Sequence, residues 1–475
     1  MVSSAWRIGV GPRPSPVASS SASAVTPVDR SRRESSGRSI RIDAVPAPTR
    51  RRILFLNQYY WPDHASTAQH LADLAEGLAA EGHDVHVVCS RGGYRQGTPR
   101  PPRREEHRGV SIHRVDATAL GRGTTIRRMV DYLSFYVRAA WLGLILPRFD
   151  VVTTLTTPPI LGLIGTLLRR LKGSRHVYWS MDLHPDASVA LGRMNRKNPV
   201  VRGLTTLSEF AYRQADKVVV LGPYMADRVA AKGVRHDRLA TIPVWSRREE
   251  IYPIPRDGHP LRAELGLDRK FVAMYSGNLG LAHSFEEFLE AARRLRDRDD
   301  VAFLFVGDGP RLAEVRSARE REGLANLRFL PYFPREQLHA SLSIADVHLI
   351  SMRAEMTGIV VPGKLYGAMA SGRATIFVGP DHCESADTIR HSGAGVTLRL
   401  GDVDGLVDAL ESFAADPEST AAHGASGRAW FLDRHERAGC CQEWASLMDG
   451  LFPATTPIYR PNTRTSAPVR SVVTP

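Results

Sequence analysis

Short apolar runs alternate with longer amphipathic segments from residue 52 onward. Ile53-Leu54-Phe55-Leu56 is an unbroken apolar run, typical of a buried parallel strand. Residues 65–80 then carry leucines at helical spacing, and Gly82 ends the pattern. A second apolar run at 85–88 completes a strand–helix–strand unit, which predicts a parallel sheet with right-handed crossovers.

The alternation continues to residue 245 and resumes at Phe271 after a break. The break, 246–265, is charged and rich in proline, as interdomain linkers are. We therefore expect an α/β protein with two Rossmann-like, doubly wound parallel-sheet domains at 51–245 and 266–452 facing a cleft. Helical patterns at the end of the second domain predict C-terminal helices that pack back.

One amphipathic segment, 125–145, has two interpretations. Its apolar residues recur at helical spacing and are Ile126, Met129, Val130, Leu133, Val137, Trp141 and Leu144. Arg127, Arg128 and Arg138 lie off this stripe. The stripe either packs on the sheet, as most helices of such folds do, or lies in the headgroup region of an anionic membrane.

The composition is that of a globular protein with a basic surplus. The chain has 475 residues, 43% hydrophobic and 24% charged, with a formal net charge of +13. The surplus favours anionic partners, although a general preference for arginine in the coding sequence accounts for part of it. No nucleic-acid recognition motif accompanies it, so we expect no nucleic acid as a partner.

Compartment and processing are predicted from the ends and the cysteines. Residues 1–50 and 453–475 are expected to be disordered tails, and we find neither a secretory signal nor an apolar run that could span a bilayer. The four cysteines lack metal or redox spacing, which favours free thiols in a reducing compartment. We expect a cytoplasmic protein.

Three glycine-containing loops in the second half are expected at one edge of its sheet. They are 275–280, 307–310 and 357–367. Ligands bind such sheets outside the carboxyl ends of the strands, and glycine lets backbone N–H groups and helix N-termini approach an anion. No loop matches the dinucleotide or P-loop fingerprint, which argues against a dehydrogenase or a P-loop enzyme. Lys364 is the one lysine in these loops and stands at a predicted helix start.

In the first half, the segment 178–186 follows a buried strand and carries Asp182, His184 and Asp186. Two carboxylates and an imidazole at a strand end suit acid–base chemistry or contacts to sugar hydroxyls. The alternative is that the aspartates cap a helix and the histidine is a surface residue.

Four strings, in their order and spacing, resemble the retaining GT-B glycosyltransferases of family 4 (glycosyl transferases group 1). They are Asn57–Asp63, Met181–Asp186, Tyr275–Gly280 with His283, and Ile359–Gly367 with Ala370–Arg373. The resemblance covers about 53–451 and is nearest a bacterial surface-polysaccharide branch that includes aminosugar transferases. It implies a nucleotide-sugar in the second domain, an acceptor in the first, and retention of configuration, with no metal and no cofactor because the nucleotide-sugar is a substrate.

Site residues follow from the resemblance together with the loops. The expected catalytic residues are Asp182, His184 and Asp186. The expected donor-binding residues are Gly277, Asn278, His283, Gly307, Gly309, Glu355, Lys364 and Tyr366. The expected acceptor-binding residues are Asn57, Tyr60, Asp63 and Thr67.

The sequence also departs from the family pattern. Many members carry two glutamates eight residues apart. In one register those places hold Ile359 and Gly367 here, and in the other Glu355 and Gly363, so neither register gives the pair. Asn278 and His283 replace an arginine and a lysine. We therefore expect Lys364 and Tyr366 to take over ribose and diphosphate recognition.

The function expected is transfer of a hexosyl or N-acetylaminosugar unit from a UDP-linked donor to a polysaccharide or polyprenyl-linked acceptor, with an anionic membrane surface as a further partner. Two alternatives remain open. One is a UDP-N-acetylaminosugar 2-epimerase on the same fold. The other, motivated by the missing glutamates, is a non-catalytic paralogue that binds a sugar nucleotide.

Overall fold

A computed structural model describes residues 50–63, 65–93, 100–118 and 125–452. Apart from Arg50, the expected tails lie outside these ranges. In the described ranges no helix is both long enough and apolar enough to cross a membrane.

The first half forms an eight-stranded sheet in the order β3-β4-β2-β1-β5-β6-β7-β8. Its strands are β1 (Arg52–Leu56), β2 (Asp84–Ser90), β3 (Arg104–His107), β4 (Val110–Val115), β5 (Val151–Thr154), β6 (Arg175–Trp179), β7 (Lys217–Val220) and β8 (Leu239–Thr241). Its helices are α1 (Ser66–Ala80), α2 (Thr125–Ile145), α3 (Gly162–Lys172), α4 (Asp186–Ala190), α5 (Pro199–Gln214) and α6 (Pro223–Ala230). All strand pairs are parallel except β3 with β4.

The second half forms a six-stranded parallel sheet in the order β11-β10-β9-β12-β13-β14. A short helix, α7 (Pro260–Glu264), precedes it within the predicted linker. The strands are β9 (Phe271–Ser276), β10 (Val301–Val306), β11 (Leu327–Leu330), β12 (Val347–Ser351), β13 (Ala374–Val378) and β14 (Gly395–Leu398). The helices between and after them are α8 (Glu286–Arg294), α9 (Leu312–Glu322), α10 (Leu338–Ser343), α11 (Lys364–Ala370), α12 (Glu384–Ser392) and α13 (Val403–Ala415).

Central strands are apolar on both faces because helices cover both sides of each sheet. Every residue of β10 and of β13 is buried. In β4, at the flank of the first sheet, burial alternates instead, as the predicted alternating pattern requires. The two doubly wound parallel sheets confirm the expected fold class.

The C-terminal helices α14 (Pro417–Arg434) and α15 (Arg437–Asp449) confirm the prediction that the chain packs back. Gly77 of α1 faces the side chain of Cys441, since a Cβ added to this glycine would lie 3.6 Å from the cysteine Sγ. The ring of Trp444 lies 4.7 Å from that of Trp179 in β6. Thus α15 returns to the first half, and all four cysteines are free and buried.

Helix α2 decides between the two interpretations of its apolar stripe. Phe135 and Ala139 are the residues that pack against the sheet, in a cluster with Leu54 and Val152. Met129, Leu133, Val137 and Trp141 of the predicted stripe are instead more than half exposed, whereas Leu144 packs against the cluster. The expectation that the stripe packs on the sheet is therefore wrong for these four exposed residues.

Candidate active site

Three glycines bring two loops of the second sheet into direct contact. Gly277 follows β9 and Gly307 follows β10, with φ of 131° and 138°. A Cβ added to Gly307 would lie 2.2 Å from the carbonyl oxygen of Gly277, and one added to Gly309 would lie 2.6 Å from Oδ1 of Asn278. Only glycine fits this stacking, in which the N–H groups of Gly277 and Gly307 donate to the carbonyl oxygens of Val306 and Leu330 at the carboxyl edge of the sheet.

Lys364, the first residue of α11, reaches over the same loop. Its Nζ donates hydrogen bonds to the Tyr275 hydroxyl and to the carbonyl oxygen of Asn278, the latter at 3.3 Å. It also lies 4.2 Å from the centre of the Tyr275 ring. A Cβ on Gly277 would be 3.2 Å from Cε of the lysine. The third predicted loop therefore meets the first through this side chain.

His283 is the third partner of Lys364. Its Nδ1 lies 2.5 Å from the carbonyl oxygen of Ser351 and must carry the proton there. Its Nε2 is then a lone-pair acceptor, 3.0 Å from Nζ of Lys364. Burial and the neighbouring Lys364 lower the pKa of His283 to about 3, so the ring is neutral at physiological pH.

Lys364 carries a charge that its protein neighbours do not neutralise. All its hydrogen-bond partners are neutral, and in the described part of the chain no carboxylate oxygen lies within ion-pairing distance of Nζ. Burial lowers the pKa of Lys364 to about 7. An anion placed beside it would restore the charged form, so the group is suited to bind phosphate.

The remaining donor candidates lie around this lysine. Asn278 is exposed, and its carbonyl oxygen also accepts a hydrogen bond from the Tyr275 hydroxyl at 2.8 Å. Glu355 is exposed in the turn after β12, where Arg353 is its ion-pair partner at 3.8 Å. Arg353 donates its backbone N–H to the Ala282 carbonyl at 2.9 Å, which fixes this turn beside the first loop.

The loop that carries Asp182 contacts the third glycine-containing loop across the two halves. The backbone N–H of Leu183 donates to the carbonyl oxygen of Ile359 at 3.1 Å. Arg228 of α6 donates to the Thr357 carbonyl at 2.5 Å. Burial raises the pKa of Asp182, and the charge of His184 opposes that rise. A carboxylate with raised proton affinity therefore stands where the two halves meet.

Comparison with known proteins identifies this arrangement. Family models match residues 67–245 as a glycosyl transferase 4-like domain and residues 259–430 as glycosyl transferases group 1.

The chain is a family 4 glycosyltransferase.

Relatives and solved structures agree with the assignment. This glycosyltransferase is 28% identical over 374 residues to WcaI of Escherichia coli, named for colanic acid biosynthesis, covering 75% of this chain and 90% of that one. Sucrose-phosphate synthase from Thermosynechococcus elongatus has a TM-score of 0.70 at 18% identity, over 85% of this chain and 99% of that one. HepE of Anabaena in complex with UDP-glucose has a TM-score of 0.64 at 16% identity, over 84% of this chain and all of the other. These likenesses show the GT-B fold, and the enzyme uses a nucleotide-sugar donor.

The glycosyltransferase does not bring all three predicted catalytic residues together. Asp186 opens α4 and forms a two-oxygen ion pair with Lys232, at 2.8 and 2.9 Å. The pair lines a cavity of about 390 Å³ behind the motif, together with Arg196 and Arg202. His184 accepts a hydrogen bond on its carbonyl oxygen from Ser208 at 2.9 Å. The structure thus gives Asp186 a pairing role, and Asp182 remains the catalytic candidate.

Tyr366 is not accessible to a donor, contrary to expectation. Its side chain is fully buried, and its ring stacks on His435 at 4.0 Å. As the third residue of α11 it faces inward, toward α14 and α15. A Cβ added to the neighbouring Gly367 would meet the apolar side chains of Leu342 and Ile251. Positions 366 and 367 therefore offer no polar group to a ribose.

Two of the four acceptor candidates are also inaccessible. Asn57 is buried and donates Nδ2 to the Tyr59 carbonyl at 2.7 Å, while Tyr60 is buried beneath the same loop. Asp63 is half-buried and accepts the Ala65 N–H at 3.3 Å before α1 begins. Thr67 is half-buried in the first turn of that helix. Asp63 and Thr67 therefore remain the acceptor candidates with accessible side chains.

Three residues around the site were not singled out by the sequence: Tyr275, Arg311 and Tyr332. Tyr275 accepts a hydrogen bond from Lys364, which is 89 positions further along the chain. Arg311 joins the first two loops by donating to the His283 carbonyl at 2.8 Å and to Glu286 at 2.7 Å. Tyr332, 43% exposed, stands beside Gly307. Tyr275 lies at the end of β9, and Arg311 and Tyr332 follow β10 and β11, so proximity to a strand end is the local signal they share.

Proposed function

We propose that this enzyme transfers a hexosyl or N-acetylaminosugar unit from a UDP-sugar to a polysaccharide or lipid-linked oligosaccharide acceptor, with retention of configuration. The observation that carries the proposal is Lys364. Its amino group, which has no carboxylate partner among the described residues, lies over Gly277 at the carboxyl edge of the sheet, where the two glycine loops meet. This arrangement suits a diphosphate.

Lys364 also accounts for the departures from the family pattern. The pattern places cations at 278 and 283, where this chain has Asn and His. Nζ of Lys364 lies 3.3 Å from the Asn278 carbonyl and 3.0 Å from His283 Nε2, so a cation occupies the same place from a different loop. One of the two lost positive charges is thereby replaced, which favours an active enzyme over a non-catalytic paralogue.

The UDP-linked donor and the polysaccharide acceptor draw on relatives. HepE binds UDP-glucose and has the same fold, and WcaI is named for colanic acid biosynthesis. Glu355 is an exposed carboxylate in the turn that Arg353 fixes beside the first loop, and it is our candidate for contacts to the sugar or ribose hydroxyls.

Asp182 is assigned the acceptor side of the reaction. It orients the acceptor hydroxyl, and the leaving diphosphate takes the proton of that hydroxyl as the glycosidic bond forms. Charge stabilisation of the leaving group by Lys364 and backbone N–H groups supplies most of the rate. We propose that no metal ion is needed, and undiminished transfer in excess chelator is the expected result.

We also propose that the enzyme works from the cytoplasmic side, peripherally on the inner face of the plasma membrane. A polyprenyl-linked acceptor requires this, since its lipid remains in the bilayer.

A donor screen followed by a transfer assay tests the proposal. Selective binding of a UDP-sugar should raise the melting temperature more than GDP- or dTDP-sugars do. Transfer should then require membrane-extracted or synthetic acceptor. Conversion of the donor without any acceptor would establish the epimerase instead, and donor binding without turnover in the presence of acceptors would establish the non-catalytic paralogue.

A further inference from the structure

Helix α2 presents an unusually apolar face to solvent. Met129, Leu133, Val137, Trp141 and Ile145 follow each other at intervals of four residues and are 57%, 63%, 62%, 66% and 61% exposed. Residues four apart share a helix face, so these side chains form one row about 24 Å long. Val130, 41% exposed, widens it. We call this row the α2 face.

The α2 face is not a by-product of packing. The side of the helix that faces the sheet already has its own apolar residues, Phe135, Ala139 and Leu146. An ordinary surface helix would carry polar residues opposite them. Contiguous exposed apolar surface of this kind marks a contact with another molecule or with a membrane.

The margin of the α2 face is basic. Arg138 is exposed beside Val137 and has no carboxylate in ion-pairing distance among the residues described. Arg148 is exposed just beyond the end of the helix, where its Nη2 contacts only a carbonyl oxygen, that of Gly173, at 3.4 Å. An apolar row that contains tryptophan and is bordered by arginine suits the headgroup region of an anionic bilayer.

We infer that the α2 face is the surface on which this protein docks to an anionic lipid bilayer, with the five-residue row inserted among the headgroups and Arg138 and Arg148 on lipid phosphates. A second copy of the chain fits less well, because stacking the rows about a twofold axis brings the same arginine margins together. Lipid phosphates have the opposite charge.

The position of the face in the fold agrees with this partner. β4 ends at Val115 on the carboxyl edge of the first sheet, and α2 returns from that edge to the start of β5. The first turns of α2, with Met129 and Leu133, therefore lie on the same edge as the Asp182 loop. The purpose of this docking rests on the proposed function, because docking brings the acceptor half of the enzyme to a lipid-linked substrate.

Vesicle sedimentation of the full chain tests the inference. Wild type should sediment with phosphatidylcholine vesicles that contain phosphatidylglycerol, and less so at high salt or with pure phosphatidylcholine. Leu133→Ser with Trp141→Ser should lower the partition coefficient at least about tenfold, as loss of two inserted side chains predicts.

Two matched pairs separate the face from general effects. Val137→Ser should weaken binding, whereas Val200→Ser, at an equally exposed valine (60%) on α5, should not. Arg138→Glu should weaken binding and flatten its salt dependence, whereas Arg193→Glu, with the same change in charge, should have the smaller effect. Equal loss within either pair would overturn the assignment.

Other outcomes are equally decisive. No sedimentation of wild type with anionic vesicles, or equal binding to neutral vesicles at both salt concentrations, would refute an anionic bilayer as partner. A wild-type dimer that Val137→Ser converts to monomers without any vesicle binding would assign the face to a second copy. UDP-sugar melting shifts, measured on every variant, should stay at the wild-type value, so failure at the membrane and failure of the glycosyl-transfer proposal are told apart.

Discussion

The ammonium group of Lys364 lies 3.0 Å from Nε2 of His283, although 81 positions separate the two residues in the chain. The histidine is held by a hydrogen bond to the Ser351 carbonyl, and it accepts from the lysine without competing for its charge. The lysine side chain is thereby held over Gly277. Positions 278 and 283 lack the cations of the family pattern, yet Lys364 still places a basic group where we propose that the diphosphate binds.

Replacement of Lys364 should therefore weaken donor binding. We expect Lys364→Ala to lose about 1.5–3 kcal/mol of binding free energy for the UDP-sugar, the range for a hydrogen bond to a charged group. Titration calorimetry measures this loss of affinity. The control is Lys197→Ala, because Lys197 is exposed and distant in sequence from the three loops. Unchanged affinity in the Lys364 variant would place the diphosphate elsewhere.

Donor affinity should also depend on pH. Because the pKa of Lys364 is about 7 in the free protein, the side chain is already charged below that pH, and affinity there should be constant. Above about pH 7 binding must take up a proton, so affinity should fall with rising pH, by up to about tenfold per unit. His283, with its pKa at about 3, does not titrate in this range.

A UDP-sugar is the right probe for that measurement, since its diphosphate is esterified at both ends and does not titrate near neutrality. Lys364→Met should bind weakly and show a flat profile. Persistence of the wild-type slope in Lys364→Met would show that another group titrates.

The sequence predicts the sheets well and the orientation of helices poorly. Apolar strand runs such as Ile53–Leu56 are predicted correctly because burial on both faces demands unbroken apolar residues. Helix α2 has apolar residues on two faces, and periodicity alone does not say which face meets the sheet; Phe135 does, whereas Leu133 does not. The charged edge strand β3 carries no apolar pattern, because edge strands are protected by charge.

The candidate site divides in the same way. Glycines after strands mark the loops correctly, since backbone geometry is a local property, and Gly277 and Gly307 are examples. Which side chains meet is not local: Asp186 and Lys232 are 46 positions apart, and Tyr366 is buried by the distant His435. Motif matching therefore included the inaccessible Tyr366, did not predict the ion pair of Asp186, and assigned no role to Tyr275.

The contact between the two glycine loops leads to a stability prediction. Gly307→Ala places a Cβ 2.2 Å from the Gly277 carbonyl oxygen at a φ of 138°, so we expect a loss of about 2–4 kcal/mol in the free energy of unfolding, together with weaker donor binding. Gly258→Ala is the control, because its φ of 71° is also positive but nothing lies within 4 Å of the added Cβ. It should lose only about 1–2 kcal/mol. Urea denaturation compares the two, and equal losses would show that strain of φ, not the loop contact, dominates.

The last prediction separates the two aspartates of the motif. Asp182→Asn removes a half-buried carboxylate at the meeting of the two halves, where burial raises its pKa, and should cut turnover by at least about 100-fold while the UDP-sugar still binds. Asp186→Asn removes the partner of Lys232 and should instead lower the free energy of unfolding by about 1–3 kcal/mol, with turnover per folded molecule within about twofold of wild type. Steady-state transfer assays, normalised by the folded fraction from circular dichroism, measure both. The reverse pattern, with Asp186→Asn inactive and stable, would make Asp186 the catalytic residue and Asp182 a structural one. Near-normal turnover in both variants would show that the reaction needs neither carboxylate of this loop, and the positioning role would then be assigned to His184.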